Sequence, residues 1–176
     1  FGEMLTFRSL LDAEDDPGLR RILLAGKVED MLNTVVRQIA FHEFETLVHG
    51  EQAAGELSVE RLGDIWMQVQ SDSLGDGIRL DDDYRSYWSY IPHFIHSPFY
   101  VYAYAFGDCL VNSLYDVFAS GHPGFQAKYL EMLSGGGTRM HKELLAPFGL
   151  DASDPDFWKR GLKMVSGFID ELEGNE

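Results

Sequence analysis

The sequence predicts an all-α protein, and three observations point to this class. Apolar residues recur at helical spacing over long segments, and residues that cap helices stand before several of these segments. No segment alternates apolar and polar residues for long enough to predict a β-strand. With 176 residues, 45% of them hydrophobic, the chain is long enough for one domain with a substantial core.

Two helices are predicted in the first third of the chain. The first covers residues 1–11, where apolar residues follow a rough helical period. Asp16 is a good N-cap for the second, with Pro17 at its first helical position. Apolar residues then recur at helical spacing as far as Val48, which predicts one helix of about 30 residues and about 45 Å. Because such a helix normally spans a large body, we expect the chain to be part of a larger protein.

The middle of the chain is predicted to contain two further helices. Ser58 is the N-cap of the first, and Arg61 stands where a complete capping box would have Glu. An acidic loop is expected over residues 71–83, followed by an irregular segment over residues 88–98 that contains two prolines. The next long helix is predicted for residues 98–119.

Three shorter helices complete the prediction. One ends at Leu133, and a glycine-rich connection leads from it to a short helix with Thr138 as its cap. That short helix is expected to end at residues 147–149. Asp154 then caps the last helix, which is predicted to reach Leu172.

The charge and the cysteine content limit the partners and the compartment. The 14 basic and 29 acidic residues give a net charge of −15, which argues against nucleic acid and anionic membranes as partners. Cys109 is the only cysteine, which is typical of a reducing compartment. The printed sequence has neither a signal-peptide pattern nor a run of about 20 apolar residues, and we therefore expect a cytoplasmic protein.

Residues 91–107 are the most informative segment of the chain. Three tyrosines fall within five residues, and two histidines precede them. A core helix has little use for so many hydroxyl groups, because each buried phenol needs a hydrogen-bond partner. A pocket that binds a peptide can use them, because tyrosine O–H and imidazole N–H groups can be directed at developing negative charge.

Two interpretations of this segment remain open from the residues alone. Tyr100 and Tyr104 are four residues apart, so on the predicted helix their rings share a face, and Tyr102 points the other way. The breaks at the two prolines can fold His93 back over the start of this helix. The alternative is a tyrosine-rich core helix whose hydroxyl groups bond to carbonyl oxygens.

A metal site is a separate hypothesis. Residues 42–46 begin like the H-E-x-x-H motif of zinc peptidases, but Thr46 stands where the second imidazole is required. His42, Glu45 and His49 lie on roughly one helix face, and two histidines with a carboxylate can hold a metal. The alternative is that these are polar groups on one side of a long helix.

Four collinear stretches of sequence carry a family resemblance. Residues 1–3 with Leu5 resemble the end of an E-x-A-S-x-x-x-E segment, and residues 37–45 (RQIAFHEFE) resemble an R-Q-x-x-F-x-x-F-E helix. Residues 92–94 (PHF) and 98–105 (PFYVYAYA) resemble a P-H-F…F-Y-V-Y-x-Y-A block, and SGGG, GLD and DFW at residues 134–137, 149–151 and 156–158 resemble a C-terminal pattern. The chain thereby resembles the oligoendopeptidase F family of zinc metallopeptidases, which are related to thimet oligopeptidase.

The resemblance implies a multi-helix, C-terminal part of a zincin-type oligopeptidase catalytic domain, covering residues 1–176 and lacking the zinc-binding helix. In the family, H-E-x-x-H supplies two zinc ligands and the general base, and a further Glu supplies the third ligand. These residues are expected before Phe1, and Glu3 is not itself a ligand. The complete enzyme is then expected to bind Zn²⁺ and oligopeptides, with the remainder of the peptidase chain as partner. This fragment alone is expected to bind no metal and to be inactive.

The resemblance also implies roles for individual residues. His93 and one of the pair Tyr100 and Tyr104, with Tyr100 as first choice, are expected to donate hydrogen bonds to the scissile carbonyl or its oxyanion. Tyr102, Tyr104 and His96 are expected to contact the peptide nearby. The competing hypothesis, of a different class, is a stand-alone all-α binding or interaction module without catalysis.

Overall fold

The regular structure of the protein is helical wherever it is described. A computed structural model describes residues 1–174, and no β-strand occurs among them, which confirms the all-α prediction. The α-helices of this range are α1 (Gly2–Asp12), α2 (Pro17–Thr34), α3 (Val36–Gln52), α4 (Val59–Leu74), α5 (His93–His96), α6 (Tyr102–Ala119), α7 (Phe125–Gly135), α8 (His141–Leu145) and α9 (Pro155–Glu173). Short 3₁₀ helices cover Gly75–Gly77, Asp82–Tyr90, Gly136–Thr138 and Ala146–Phe148.

Three of the predicted N-caps are confirmed by hydrogen bonds. The Asp16 carboxyl accepts from the backbone N–H groups two and three residues further on, at 2.8 and 2.9 Å. Ser58 accepts from the N–H of Arg61 at 3.2 Å, and Asp154 accepts from the N–H of Asp156 at 2.9 Å. Each bond satisfies a backbone donor that the first helical turn leaves without a partner.

Several predicted boundaries are wrong. The single helix over residues 17–48 is divided at Val35, whose φ of −102° and ψ of −68° interrupt the run between α2 and α3. Three successive β-branched residues, Thr34, Val35 and Val36, weaken helix propensity at this point. Helix α4 continues four residues into the segment predicted as an acidic loop. Thr138 does not cap α8; its hydroxyl donates to the Gly135 carbonyl at 2.6 Å.

The chain divides into two compact units. One consists of Phe1–Met31 and the residues from Gly107 onward, and the other of Leu32–Phe106. In the first unit, α1, α2 and α9 share a buried apolar cluster that includes Leu11, Met31 and Phe168. A second cluster in the same unit joins α6, α7, α8 and α9.

The unit formed by Leu32–Phe106 has its own core, which fixes the position of residues 91–101. Helix α3 packs on α4, and the 3₁₀ helix Asp82–Tyr90 packs on α4 as well. Phe41, Phe44 and Trp66 are each less than 5% exposed, and the rings of Phe41 and Phe44 both contact the ring of Trp66. Ile91 and Val101 belong to the same core, which anchors both ends of the intervening segment.

Among residues 1–174, no helix combines the length and the apolar character that crossing a membrane requires.

Candidate functional site

His93, Tyr100 and Tyr104 lie together within the unit formed by Leu32–Phe106. The Nε2 atom of His93 is 3.0 Å from the hydroxyl oxygen of Tyr104, which is hydrogen-bonding distance. The rings of His93 and Tyr100 are parallel within 4°, with centroids 6.5 Å apart. The Tyr104 ring stands at 89° to both of them, with centroid distances of 5.6 Å.

Breaks in the helical backbone bring these rings together. The short helix α5 carries His93, and Pro98 follows that helix two residues after its end. Phe99 then adopts a φ of 59°, and α6 begins only at Tyr102. The prediction that Tyr100 lies on the helix with Tyr104 is therefore wrong, although their rings are in contact. A proline disfavours helical dihedrals in the residue before it, and the left-handed residue after it delays the helix further.

The tyrosine rings are on the surface of their unit rather than in its core. Tyr100 is 52% exposed and Tyr104 is 38% exposed, whereas Val101 and Ala105 are at most 3% exposed. The buried face of this segment thus consists of Val101 and Ala105, and the alternative of a tyrosine-rich core helix is wrong. Among the described residues, no hydrogen bond engages the hydroxyl of Tyr100. That hydroxyl is an available donor.

Tyr102 and His96 are placed differently. The Tyr102 ring is 52% exposed and meets the His42 ring edge-on, with centroids 5.9 Å apart. His96 is exposed at the end of α5, and no ring contact links it to the tyrosines within the described range. Both side chains remain reachable, but neither belongs to the group formed by His93, Tyr100 and Tyr104.

Glu45 bonds to the backbone of this segment, a contact that the sequence analysis did not predict. Its Oε1 atom accepts a hydrogen bond of 2.8 Å from the backbone N–H of Phe99, and the residue is only 2% exposed. Its Oε2 atom is buried, and no described residue is hydrogen-bonded to it. The sequence feature that could have indicated a buried, bonded carboxyl is an acidic residue within the apolar stripe of α3, directly after Phe44 and four residues after Phe41.

The hypothesis of a metal site at His42, Glu45 and His49 is wrong. The described residues contain no group of three or more His, Cys, Asp or Glu side chains that could hold a metal ion. The Glu45 carboxyl bonds to Phe99, and both imidazole rings pack against the Phe99 ring, with centroids 6.2 and 4.8 Å away.

A pocket of about 330 Å³ opens within the same unit. Apolar side chains such as Phe44 and Trp88 line it together with polar ones that include Glu45, His49 and Gln52. None of the three residues His93, Tyr100 and Tyr104 is among the described residues that line it. The exposed rings and this pocket are therefore separate features of the surface.

Cys109 is a buried free cysteine. It is 3% exposed, and burial raises the pKa of its thiol to about 11. Because the thiolate is the nucleophilic form, this cysteine is not activated for chemistry at neutral pH.

Comparison with solved structures gives the class of fold. The chain superposes on the crystal structure of oligoendopeptidase-F from Enterococcus faecium with a TM-score of 0.86 and 27% sequence identity, covering 96% of this chain and 32% of that one. The helical fold described above is thus that of part of an oligoendopeptidase.

Sequence comparison then gives the family. Residues 2–164 match the model of Peptidase family M3, and the chain belongs to this family. It is 31% identical to Oligopeptidase PepF of Bacillus subtilis over 173 residues, which are 97% of this chain and 26% of that protein. It is 29% identical to Oligoendopeptidase F, plasmid, of Lactococcus lactis subsp. cremoris, over 97% of this chain and 28% of that protein. The chain spans about a quarter of the length of these curated relatives.

Proposed function

We propose that this chain supplies the carbonyl-binding part of a metalloendopeptidase that hydrolyses short peptides. The observation that carries the proposal is the group formed by half-buried His93 and the exposed Tyr100 and Tyr104, in a chain that belongs to Peptidase family M3. In this proposal the whole chain, residues 1–176, is one helical part of the peptidase catalytic domain.

The chemical role follows from where the donors stand. During peptide hydrolysis, negative charge develops on the oxygen of the scissile carbonyl, and fixed hydrogen-bond donors stabilise that charge. The Tyr100 hydroxyl is exposed and has no internal partner among the described residues, so it is free to donate to this oxygen. His93 lies beside it, oriented by its contact with Tyr104.

Tyr102, Tyr104 and His96 complete the proposed peptide-binding surface. All three are exposed, and they are close in sequence to the two proposed carbonyl donors. Oligopeptides are the proposed substrates, as the names of the relatives suggest. A cytoplasmic location is part of the proposal, because a chain with Cys109 as its only cysteine is typical of a reducing compartment.

Zinc is the proposed metal of the complete gene product, but the residues described here do not fit a zinc site. They contain no group of three side chains able to bind a metal ion, and the Glu45 carboxyl is committed to a backbone N–H group. The proposed ligands therefore lie on other residues, and the role of this chain is limited to binding and orienting the peptide.

The replacement Tyr100→Phe in the complete gene product tests the proposal. Removal of one donor to a developing oxyanion lowers kcat by about 10²–10³-fold. We expect a fall of that order in kcat with a much smaller change in KM, because the lost hydrogen bond matters most in the transition state. Steady-state hydrolysis of a fluorogenic peptide measures both constants.

Tyr90→Phe is the matched control for this experiment. Tyr90 is 76% exposed in the same unit and has no place in the proposed group, so its replacement should leave both constants unchanged. Unchanged turnover in Tyr100→Phe would remove the proposed role of Tyr100.

A further inference from the structure

We propose that Glu45 is a positioning residue for Tyr100, acting through the backbone of Phe99. It accepts the Phe99 N–H, holds residue 99 in a left-handed conformation, and so sets the direction in which the next residue leaves the turn. This inference rests on the proposed function, because it concerns the geometry of the proposed carbonyl donor.

The backbone at Phe99 needs an external support. Its φ of 59° is the only positive φ of a non-glycine residue in the part of the chain that the structure describes. Left-handed dihedrals are unfavourable for a bulky L-residue, and such a conformation persists only where its surroundings fix it. The carboxyl of Glu45 is the group that meets the amide of this residue.

Glu45 is itself held firmly. It lies in the buried stripe of α3 next to Phe44, whose ring packs on Trp66 and Phe94. The side chain of Glu45 is therefore confined on the core side, and its Oε1 atom is presented at a fixed point on the helix surface. A carboxyl group that moves little can define the position of a loop amide.

The carboxyl group of Glu45 accepts a hydrogen bond that an apolar side chain could not accept. Its other oxygen, Oε2, is buried and has no hydrogen-bond partner among the described residues. Burial of an unpartnered polar atom opposes folding. An apolar side chain at this position would avoid that cost, but it would leave the Phe99 N–H without its acceptor.

The ring of Phe99 is fixed by the same helix. His42 and His49 of α3 both contact it, with centroid distances of 6.2 and 4.8 Å. Helix α3 thus holds residue 99 at two points, the amide and the ring, and Tyr100 is the next residue. A displacement of about 1 Å in a substrate-positioning group can lower a rate by about 10²-fold.

Two replacements of Glu45 in the complete gene product distinguish positioning from a role that depends on charge. Glu45→Gln keeps the length and an acceptor oxygen, so kcat should stay within about threefold of the parent value. Glu45→Asp keeps the carboxyl group but shortens its reach, so kcat should fall by about 10–100-fold with little change in KM. Glu43→Asp is the matched control, since Glu43 is exposed on the same helix, and its kcat should not change.

A double-mutant cycle compares the effect of Glu45→Asp on kcat in the parent enzyme and in Tyr100→Phe. A merely structural role of Glu45 would give the same effect in both. If Glu45 acts through Tyr100, Glu45→Asp should lower kcat by no more than about threefold in a Tyr100→Phe background. An equal fall in kcat in both backgrounds would overturn the inference, and so would a higher kcat in Glu45→Asp than in Glu45→Gln.

Amide hydrogen exchange on the parent protein needs no variant. The Phe99 N–H should be protected from exchange, and free exchange of this amide would contradict the inference.

Failure of this inference can be told apart from failure of the proposed function. If Tyr100→Phe leaves kcat unchanged, the proposed role of Tyr100 is lost. If Tyr100→Phe lowers kcat but Glu45→Asp does not, Tyr100 keeps its role and only the positioning role of Glu45 is lost.

Discussion

At the scale of single residues, the conformation of Phe99 decides where the proposed site lies. Had residues 98–101 continued the helix, Tyr100 would have been one turn before Tyr104 on the same face. The left-handed turn instead places the Tyr100 ring parallel to His93 and at 89° to Tyr104. One backbone dihedral therefore arranges three side chains.

The sequence predicted which side chains of the proposed site lie close together better than it predicted how they are arranged. The two proline breaks indicated that His93 folds back towards the tyrosines, and it contacts both Tyr100 and Tyr104. The role of Glu45 could not be predicted, because its hydrogen bond joins residues 54 positions apart in the chain. Helical spacing describes neighbours within one helix and carries no information about such a contact.

A residue-scale prediction concerns the reactivity of Cys109. Because burial raises the pKa of its thiol to about 11, the thiolate is scarce at pH 8. We expect its alkylation rate with iodoacetamide in the folded chain to rise about tenfold per pH unit until the pH approaches that value, whereas a free cysteine levels off near pH 8.5. Mass spectrometry of timed samples measures the rate, and the denatured chain is the control. A folded chain with a midpoint near 8.5 would contradict the buried environment.

At the scale of helices, close packing of α6 and α9 depends on Gly161. A Cβ atom at this position would lie 2.9 Å from both the Cα and the Cβ of Cys109. Such distances are not tolerated between carbon atoms, so a side chain here would push the two helices apart. Gly161 and Cys109 belong to the same compact unit.

This contact gives a prediction for Gly161→Ala. Overpacking of a buried contact costs about 1–3 kcal/mol, and Ala gains roughly 1 kcal/mol over Gly in a helix. Because backbone atoms of Cys109 are among those in close contact, we expect a cost in the upper part of that range, which exceeds the gain. The replacement should therefore lower the free energy of unfolding, as measured by urea denaturation. Gly167→Ala in the same helix is the control. Apart from its chain neighbours and its own helix backbone, no described atom lies within 4 Å of the added Cβ, so stability should stay the same or rise. An unaffected Gly161→Ala variant would contradict the close approach.

Helix boundaries were predictable where a side chain makes the cap and not where the only local signal is a short run of β-branched residues. Asp16, Ser58 and Asp154 each accept a hydrogen bond from their own helix, and the sequence was enough to place them. At the break at Val35, neither the residue itself nor its neighbours are glycine or proline, the residues that most often mark the end of a helix. An apolar stripe with correct spacing continues through such a break, because periodicity reports which residues are buried and not whether the backbone is continuous.

At the scale of the whole molecule, the proposed site belongs to one unit of a chain that spans about a quarter of its curated relatives. His93, Tyr100, Tyr104 and Glu45 all fall within Leu32–Phe106. The donors and the residue proposed to position them therefore share one core. The described residues contain no group of side chains that could hold a metal ion. The proposed function therefore assigns peptide binding to these residues and metal binding to others.

This separation predicts that the 176-residue chain by itself does not hydrolyse peptides, even with added Zn²⁺. Donors that stabilise an oxyanion accelerate a reaction only when a nucleophile attacks the carbonyl, and the described residues provide no metal site to activate water. The purified chain and the complete gene product should be compared in the same fluorogenic assay, with circular dichroism to show that the chain is helical. If the chain alone cleaves the peptide and Tyr100→Phe abolishes that cleavage, then the whole catalytic apparatus resides in these residues and the proposed division of roles is wrong.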